Sequence, residues 1–534
     1  MALPFRSKKR KPHKLTAKQR QALARKRALA RRQARQHRLA LERQWIKTHG
    51  AKPLPTKVPV PKPSPAKLPY VPPPDTPPPA AVGHIDGPAV PVYDGAFGVA
   101  QATRLLWRAG FGPRPGQATA LAGGSLAGAV QSLTRPGAET FTGAEPHDQN
   151  GAALAPEDLW GHDHLWWLDR MVRSDQPLIE RLTLIFHDWF ATTNDSVGNQ
   201  ALMLGQNATL RAGVLGRFPD LAQAVTQDPA MLDFLNGIEN RKTSPNENYA
   251  RELMELFTLG ADRGAYTETD VRELARALTG WRADWNDTAG KLENFRFDQT
   301  LHDTKNKTVF GQTGNWNWDA AVPLVVANPL HRSFFVRKLW SYFIPSDPDA
   351  TTQSGLEAVY VNSGYAIRDV VEAILMHPDL YRGAPMVKNP AVYTAGLLRA
   401  LGQTITTDAW AWRMSNAAMQ LFYPPNVSGW NDNAWLDTST VQARWGIVYE
   451  ALSTVVVPID GTYALTETPQ DALLAAQAFL GDPPLTDATR SALLDFGAAA
   501  IPAGYSGTSL RNFNAQRQNA LRHLIATSPD CQVS

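Results

Sequence analysis

Residues 244–260 read SPNENYARELMELFTLG, and whether they form a helix decides how the rest of the chain is read. Ser244, Pro245 and Glu247 match a capping box with proline at the first helical position, where a missing N–H costs nothing. Tyr249, Leu253, Leu256 and Phe257 recur at i, i+4, i+7 and i+8, the stripe of an amphipathic helix, and Gly260 supplies a left-handed exit. On that helix Glu252 lies at the edge of the stripe with Asn248 and Glu255 beside it, while Glu247 and Arg251 pair on the other flank. Two carboxylates three residues apart can serve as general acid and base, or offer two oxygens to a divalent metal. They can equally be structural acceptors, because a buried Glu is usually paired.

The same periodicity continues outward. DQPLIERLTLIFHDWFATT places Leu178, Leu182, Ile185 and Trp189 on one stripe, and TETDVRELARALTGW opens with a Thr267 to Asp270 capping pattern. Further helices are predicted at 331–343, 366–377, 391–401, 408–421 and 510–527. Residues 281–318 instead carry Asn, Asp, Gly and Trp with a short β-like KTVFG, which reads as a long loop region. The expected fold is all-α: one large multi-helix body over 93–534, with long loops and little strand, and a C-terminal helical part from about 466.

Two segments precede that body. Residues 1–50 carry seventeen Lys or Arg against one acid, a net of +16, which leaves −11 for the rest of a chain whose total is +5. This basic arm, disordered or transiently helical, is suited to a polyanion or an anionic surface; with no aromatics interleaved beyond Trp45, it carries no signal of specific nucleic-acid recognition. Residues 51–92 hold 15 prolines and read as a semi-rigid polyproline spacer. No apolar run is long enough for a membrane span, and no export signal is visible. The one cysteine, Cys531, excludes an intrachain disulfide and a Cys-based zinc module.

LLWRAGFGP, LTLIFHDWFATT, DPAMLDFLNG, NENYARELMELFTLG, YTETDVRELARALTGW, HDTKNKTVFG, FFVRKLW and PPNVSGW follow one another in this order from about residue 100. Together these blocks resemble the bacterial family called domain of unknown function 1800. The resemblance implies a predominantly helical body of about 430 residues, but no activity. Members of the family commonly look exported, often by a twin-arginine route, and are accompanied by sulfatase-like proteins. Here the basic and proline-rich extension stands where an export signal would be, so the compartment stays open. The family's helix often reads His-any-His-Phe, whereas this chain has His187-Asp188-Trp189-Phe190 and retains only the first imidazole.

A reaction centre would require Glu252 and Glu255 to meet imidazoles from elsewhere, with His187 and the adjacent His302 and Asp303 as candidates. A metal centre would draw these side chains to within about 4 Å of one another. His162 and His164 point apart on their predicted helix and make a poor chelate. Sixteen tryptophans, among them Trp281, Trp316 and Trp430 in loop-like segments, offer stacking surfaces for sugars or other flat ligands, with Asn248 as a polar contact. There is no phosphate loop, dinucleotide fingerprint, GxSxG elbow, HExxH or EF-hand loop. Two readings follow: a non-catalytic binding or assembly protein of the bacterial cell envelope or surface, with a saccharide or envelope partner, or a hydrolase-like enzyme, metal-dependent or not, acting on a polymeric or saccharide substrate.

Overall fold

Helix Pro177–Trp189 is buried along nearly all its length, and the described residues of the computed structural model, 83–287 and 290–534, pack on either side of it. The structure is 55% helical and holds two small two-stranded sheets among the described residues, so the all-α expectation stands. The basic arm and most of the proline-rich segment, up to residue 82, lie outside the described residues.

A helix buried along its length needs packing partners on more than one face. Leu178, Leu182, Ile185, Phe186 and Trp189 face one core, shared with helices Glu268–Ala277, Trp318–Val326 and Leu330–Ser341. Leu184 faces a second core, shared with helices His162–Arg173, Pro390–Ala400, Thr438–Ser453 and Gly507–Thr527. The same helix carries Glu180, which is fully buried. Burial raises its pKa, but Arg211 and Arg170, at 2.6 and 2.9 Å, outweigh that and pull it below the usual range. Removing either guanidinium would leave a buried charge short of a partner.

The stretch 244–260 departs from its expected form. The helix begins at Asn248, not at Pro245, and Ser244 makes no cap. Asn246 takes that place: its Oδ1 accepts from Asn248 N at 3.0 Å, while Glu247 pairs with Arg251 at 3.2 Å. From Leu253 to Leu259 the chain is a π-helix. Buried residues recur in pairs every four positions, Tyr249/Ala250, Leu253/Met254 and Phe257/Thr258, a looser period than the 3.6 of an α-helix. Glu252 and Glu255 fall between these pairs, on the half-open side.

The carbonyls that end this π-helix are each met by a side chain. Lys338 Nζ donates to Leu256 O at 2.9 Å, Trp189 Nε1 to Phe257 O at 2.9 Å, His331 Nδ1 to Thr258 O at 2.9 Å and Arg263 Nη1 to Leu259 O at 2.7 Å. His331 and Lys338 sit two turns apart on one face of helix Leu330–Ser341, so a single helix supplies two of the four donors.

One further segment differs from expectation. The 281–318 region is built as two hairpins, Trp281–Asn286 with Lys291–Phe297 and Lys307–Val309 with Gln312–Gly314, the second containing the β-like KTVFG. Residues ahead of 93 also touch the helical body. Ile85 exchanges two hydrogen bonds with the Asn362 side chain, at 2.9 and 3.0 Å, and Pro88 O would lie 2.7 Å from a Cβ at Gly355.

His331 makes the π-helix sensitive to acid. A carbonyl only accepts, so Nδ1 carries the proton to Thr258 and Nε2 accepts from Tyr360 Oη at 2.9 Å. Burial pushes the imidazole down to about 4, below its ordinary 6.5. A depressed folded-state pKa means that the His331 contribution is complete above pH 6.5 and is lost as pH falls toward 4, at about 1.4 kcal/mol per unit. Urea unfolding should show His331→Gln less stable than wild type at pH 7, with the gap narrowing by about 2–3 kcal/mol at pH 4.5.

Candidate functional site

Where the two cores meet, ionisable groups collect around Asp188. Its Oδ1 accepts from the Trp430 backbone N–H at 2.7 Å and its Oδ2 from Tyr342 Oη at 2.8 Å. Burial pushes this carboxyl up to about 6, against those two hydrogen bonds and the charge of Lys338, while the Asp432 carboxylate adds to the rise. Lys338 is brought down to about 8 by burial and lies 4.6 Å over the Trp189 ring. The phenol of Tyr342 is held well above its ordinary value by burial and by Asp188.

Arg181 completes the group. Its guanidinium is buried, Nε and Nη1 are enclosed with no hydrogen-bond partner, and its charge faces Tyr342 and Asp432. Asp188, Lys338 and Tyr342 are half-buried and Asp432 is exposed, so the cluster opens from a closed floor at Arg181 toward solvent. An acid near 6 and an ammonium near 8 in one cluster titrate on either side of neutrality, and the cluster can bind a polar group through charge and hydrogen bonds.

The PPNVSGW turn is shaped for this contact. Gly429 has φ +93, and a Cβ there would stand 2.2 Å from Asp188 Oδ1. Only glycine lets the turn deliver Trp430 N–H to the carboxylate. Gly429→Ala should therefore lower stability by about 2 kcal/mol or more, read from thermal unfolding. A carboxyl carbon titrating near pH 6 in the wild-type NMR spectrum should disappear in Asp188→Asn and shift in Gly429→Ala.

The residues singled out from the sequence are distributed differently. Glu252 and Glu255 are neighbours: burial and then the Glu255 charge raise the pKa of Glu252, which has no hydrogen-bond or ion-pair partner among the described residues. Glu255 accepts from Tyr266 Oη at 3.3 Å. Neither is clamped by arginine. His187 does not join them. Its ring is enclosed by Trp167, Trp430 and Phe422 at 5.3, 5.5 and 5.7 Å, both nitrogens lack partners, and burial depresses it to about 3, so it is neutral.

His302 Nδ1 meets Thr279 O at 2.8 Å, and Asp303 takes the Arg276 guanidinium at 2.8 Å. These two pin the second hairpin region to helix Glu268–Ala277. His162 and His164 accept backbone N–H groups from Ala155 and Leu421. Among the described residues no three His, Cys, Asp or Glu side chains gather as a metal site. Asn248 is exposed and its amide donates to Asn236 at 3.1 Å.

Three tryptophans expected on loop surfaces are packed inside. Trp281 and Trp316 are 1% and 2% exposed, and the cavity beside Trp281 measures about 10 Å³, room for one water and no sugar. Trp430 covers His187. Trp285 stays exposed on the first hairpin, and a row of open side chains lies elsewhere. Val441, Trp445 and Tyr449 form one outward row on helix Thr438–Ser453. Trp412, on the adjoining helix Ala409–Asn416, stacks with Trp160 at 4.4 Å.

The Asp188 cluster escaped the sequence reading, although its signal was present. Asp188, Lys338 and the Gly429 turn lie inside LTLIFHDWFATT, FFVRKLW and PPNVSGW, while Arg181, Tyr342 and Asp432 flank the same blocks. Polar residues embedded in apolar blocks were the mark to follow. No curated protein and no solved structure matches the chain. Residues 104–533 match the family described as protein of unknown function (DUF1800), and the chain belongs to that family.

Proposed function

We propose that this is a binding or assembly protein of the bacterial cell envelope or surface, engaging a saccharide or envelope partner through exposed aromatic side chains. The row on helix Thr438–Ser453 carries the reading: Trp445 and Tyr449, one turn apart, are 49% and 63% exposed. Large aromatics held in water on a rigid helix have an apolar face free to stack on a sugar ring or fill a partner's pocket. The Arg413–Glu450 ion pair at 3.0 Å braces that helix against the one carrying Trp412. The basic arm fits the same reading as a salt-sensitive attachment to polyanion.

The test uses the full chain and bacterial envelope polysaccharide in a sedimentation assay. Combined Trp445→Ala and Tyr449→Ala should weaken binding at least tenfold without shifting the thermal unfolding midpoint. Undiminished binding by the double variant would remove the aromatic row from the function.

The Asp188 cluster favours a second reading, acid–base catalysis of a hydrolase-like kind. Asp188 near 6 and Lys338 near 8 straddle neutral pH, and Arg181 offers positive charge to an oxygen. Hydrolysis of a polysaccharide by the wild type that is lost in Asp188→Asn, with binding retained, would favour this reading over the first.

A further inference from the structure

Between helices Val99–Arg108 and Pro390–Ala400 and the C-terminal residues lies a cavity of about 530 Å³. This is the size of a small-molecule site, and the Asp188 cluster takes no part in its lining. Trp107, Tyr393, Leu397, Leu480, Leu485 and Pro484 give it largely apolar walls. Its charged lining is uneven. Lys388 is buried; its Nζ donates to Cys531 O at 2.9 Å and stands 3.7 Å over the Trp107 ring, with no carboxylate on it. Arg104 reaches the Gly383 and Ala384 carbonyls at 2.7 and 2.9 Å, and its Nε is enclosed with no partner.

Two more cations stand directly behind. Arg444 donates to Lys388 O at 2.8 Å and to Gln532 at 3.1 Å, and Arg108 donates to the main-chain oxygens of Ala384 and Ser534 at 3.1 and 2.7 Å. None of the four is met by an Asp or Glu side chain; Arg108 alone meets the terminal oxygen of Ser534, which leaves Lys388, Arg104 and Arg444 without an anionic partner. The one acidic side chain in the lining, Asp530, is engaged by the backbone N–H and hydroxyl of Thr486 at 2.7 and 3.1 Å. Buried cations ordinarily have acidic partners, because the field of one charge in a poor dielectric is otherwise uncompensated.

An apolar chamber with surplus positive charge at one side fits a molecule with an apolar body and one negative end. We propose that this cavity binds a single-chain amphiphile with an acidic head group, its head at Lys388 and Arg104 and its chain along Trp107, Leu397 and Leu480. A free carboxylic acid and a phosphate monoester share that chemistry.

Cys531 lines the cavity and is the only cysteine of the chain, so its alkylation reports on occupancy. With the full chain, iodoacetamide labelling followed by mass spectrometry should slow at least tenfold when decanoate or decyl phosphate is present, and calorimetry should give one site. Tighter binding of decanoate would point to a free acid and of decyl phosphate to a lipid-derived head. Decanamide, which has the same chain without charge, should bind at least tenfold more weakly than decanoate. Lys388→Met should bring decanoate down to the level of decanamide; if that variant does not fold, Arg104→Met provides the same comparison. Labelling unaffected by either acid, or decanamide binding as well as decanoate, would overturn the proposal.

Discussion

Four carbonyl oxygens in a row, from Leu256 to Leu259, fix much of this structure. A π-helix leaves its last carbonyls without intrahelical donors, and a buried carbonyl without a partner costs about 1–3 kcal/mol. Each is satisfied by a long side chain from elsewhere. Trp189 must come from the end of the central helix, His331 and Lys338 from one face of helix Leu330–Ser341, and Arg263 from the turn after Gly260. The position of three elements follows from that requirement. It also explains why a lysine lies so near the first core: Lys338 caps a carbonyl with one hydrogen bond while its charge is available to Asp188.

The central helix turns the same constraint into a chemical environment. Because Pro177–Trp189 is buried along nearly all its length, its polar residues must find most of their partners within the protein. Glu180 finds two arginines and stays ionised. Asp188 finds a backbone N–H, a phenol and a more distant ammonium, which leave burial the larger effect. One helix thus holds a carboxylate pushed down and another pushed up, and the difference is the presence of guanidinium contact.

Much of the architecture was legible in the sequence because helical periodicity and turn residues act locally. The Thr267 to Asp270 capping box forms as read, and the stripe of Leu178, Leu182, Ile185 and Trp189 is buried as read. The start of the Asn248 helix was misplaced because Asn246 competes with Ser244 for the turn, and the π-helix was missed because its apolar residues also fit an α-helical stripe. The site was less legible for a stronger reason. His187, His302 and Asp303 have the side chains of chemistry, yet what they do is set by Trp167, Thr279 and Arg276, partners 20 or more residues distant that no spacing rule brings near. Trp281 and Trp316 were read from loop composition, but composition does not tell which side of a hairpin faces a core.

Arg108 shows how the two halves share one electrostatic balance. It donates to Phe343 O, one residue beyond Tyr342, and to the main chain that borders the cavity at Ala384 and Ser534. The Arg181 charge disfavours the protonated form of Arg108, and the Arg108 charge disfavours that of Lys388, because all three are cations in a poorly hydrated interior. Asp432 faces Arg181, the terminal oxygen of Ser534 is taken by Arg108, and Asp530 in the cavity lining is held by Thr486. Lys388 meets only the Cys531 carbonyl and the Trp107 ring, so the cation that borders the cavity is the one left without an acidic partner.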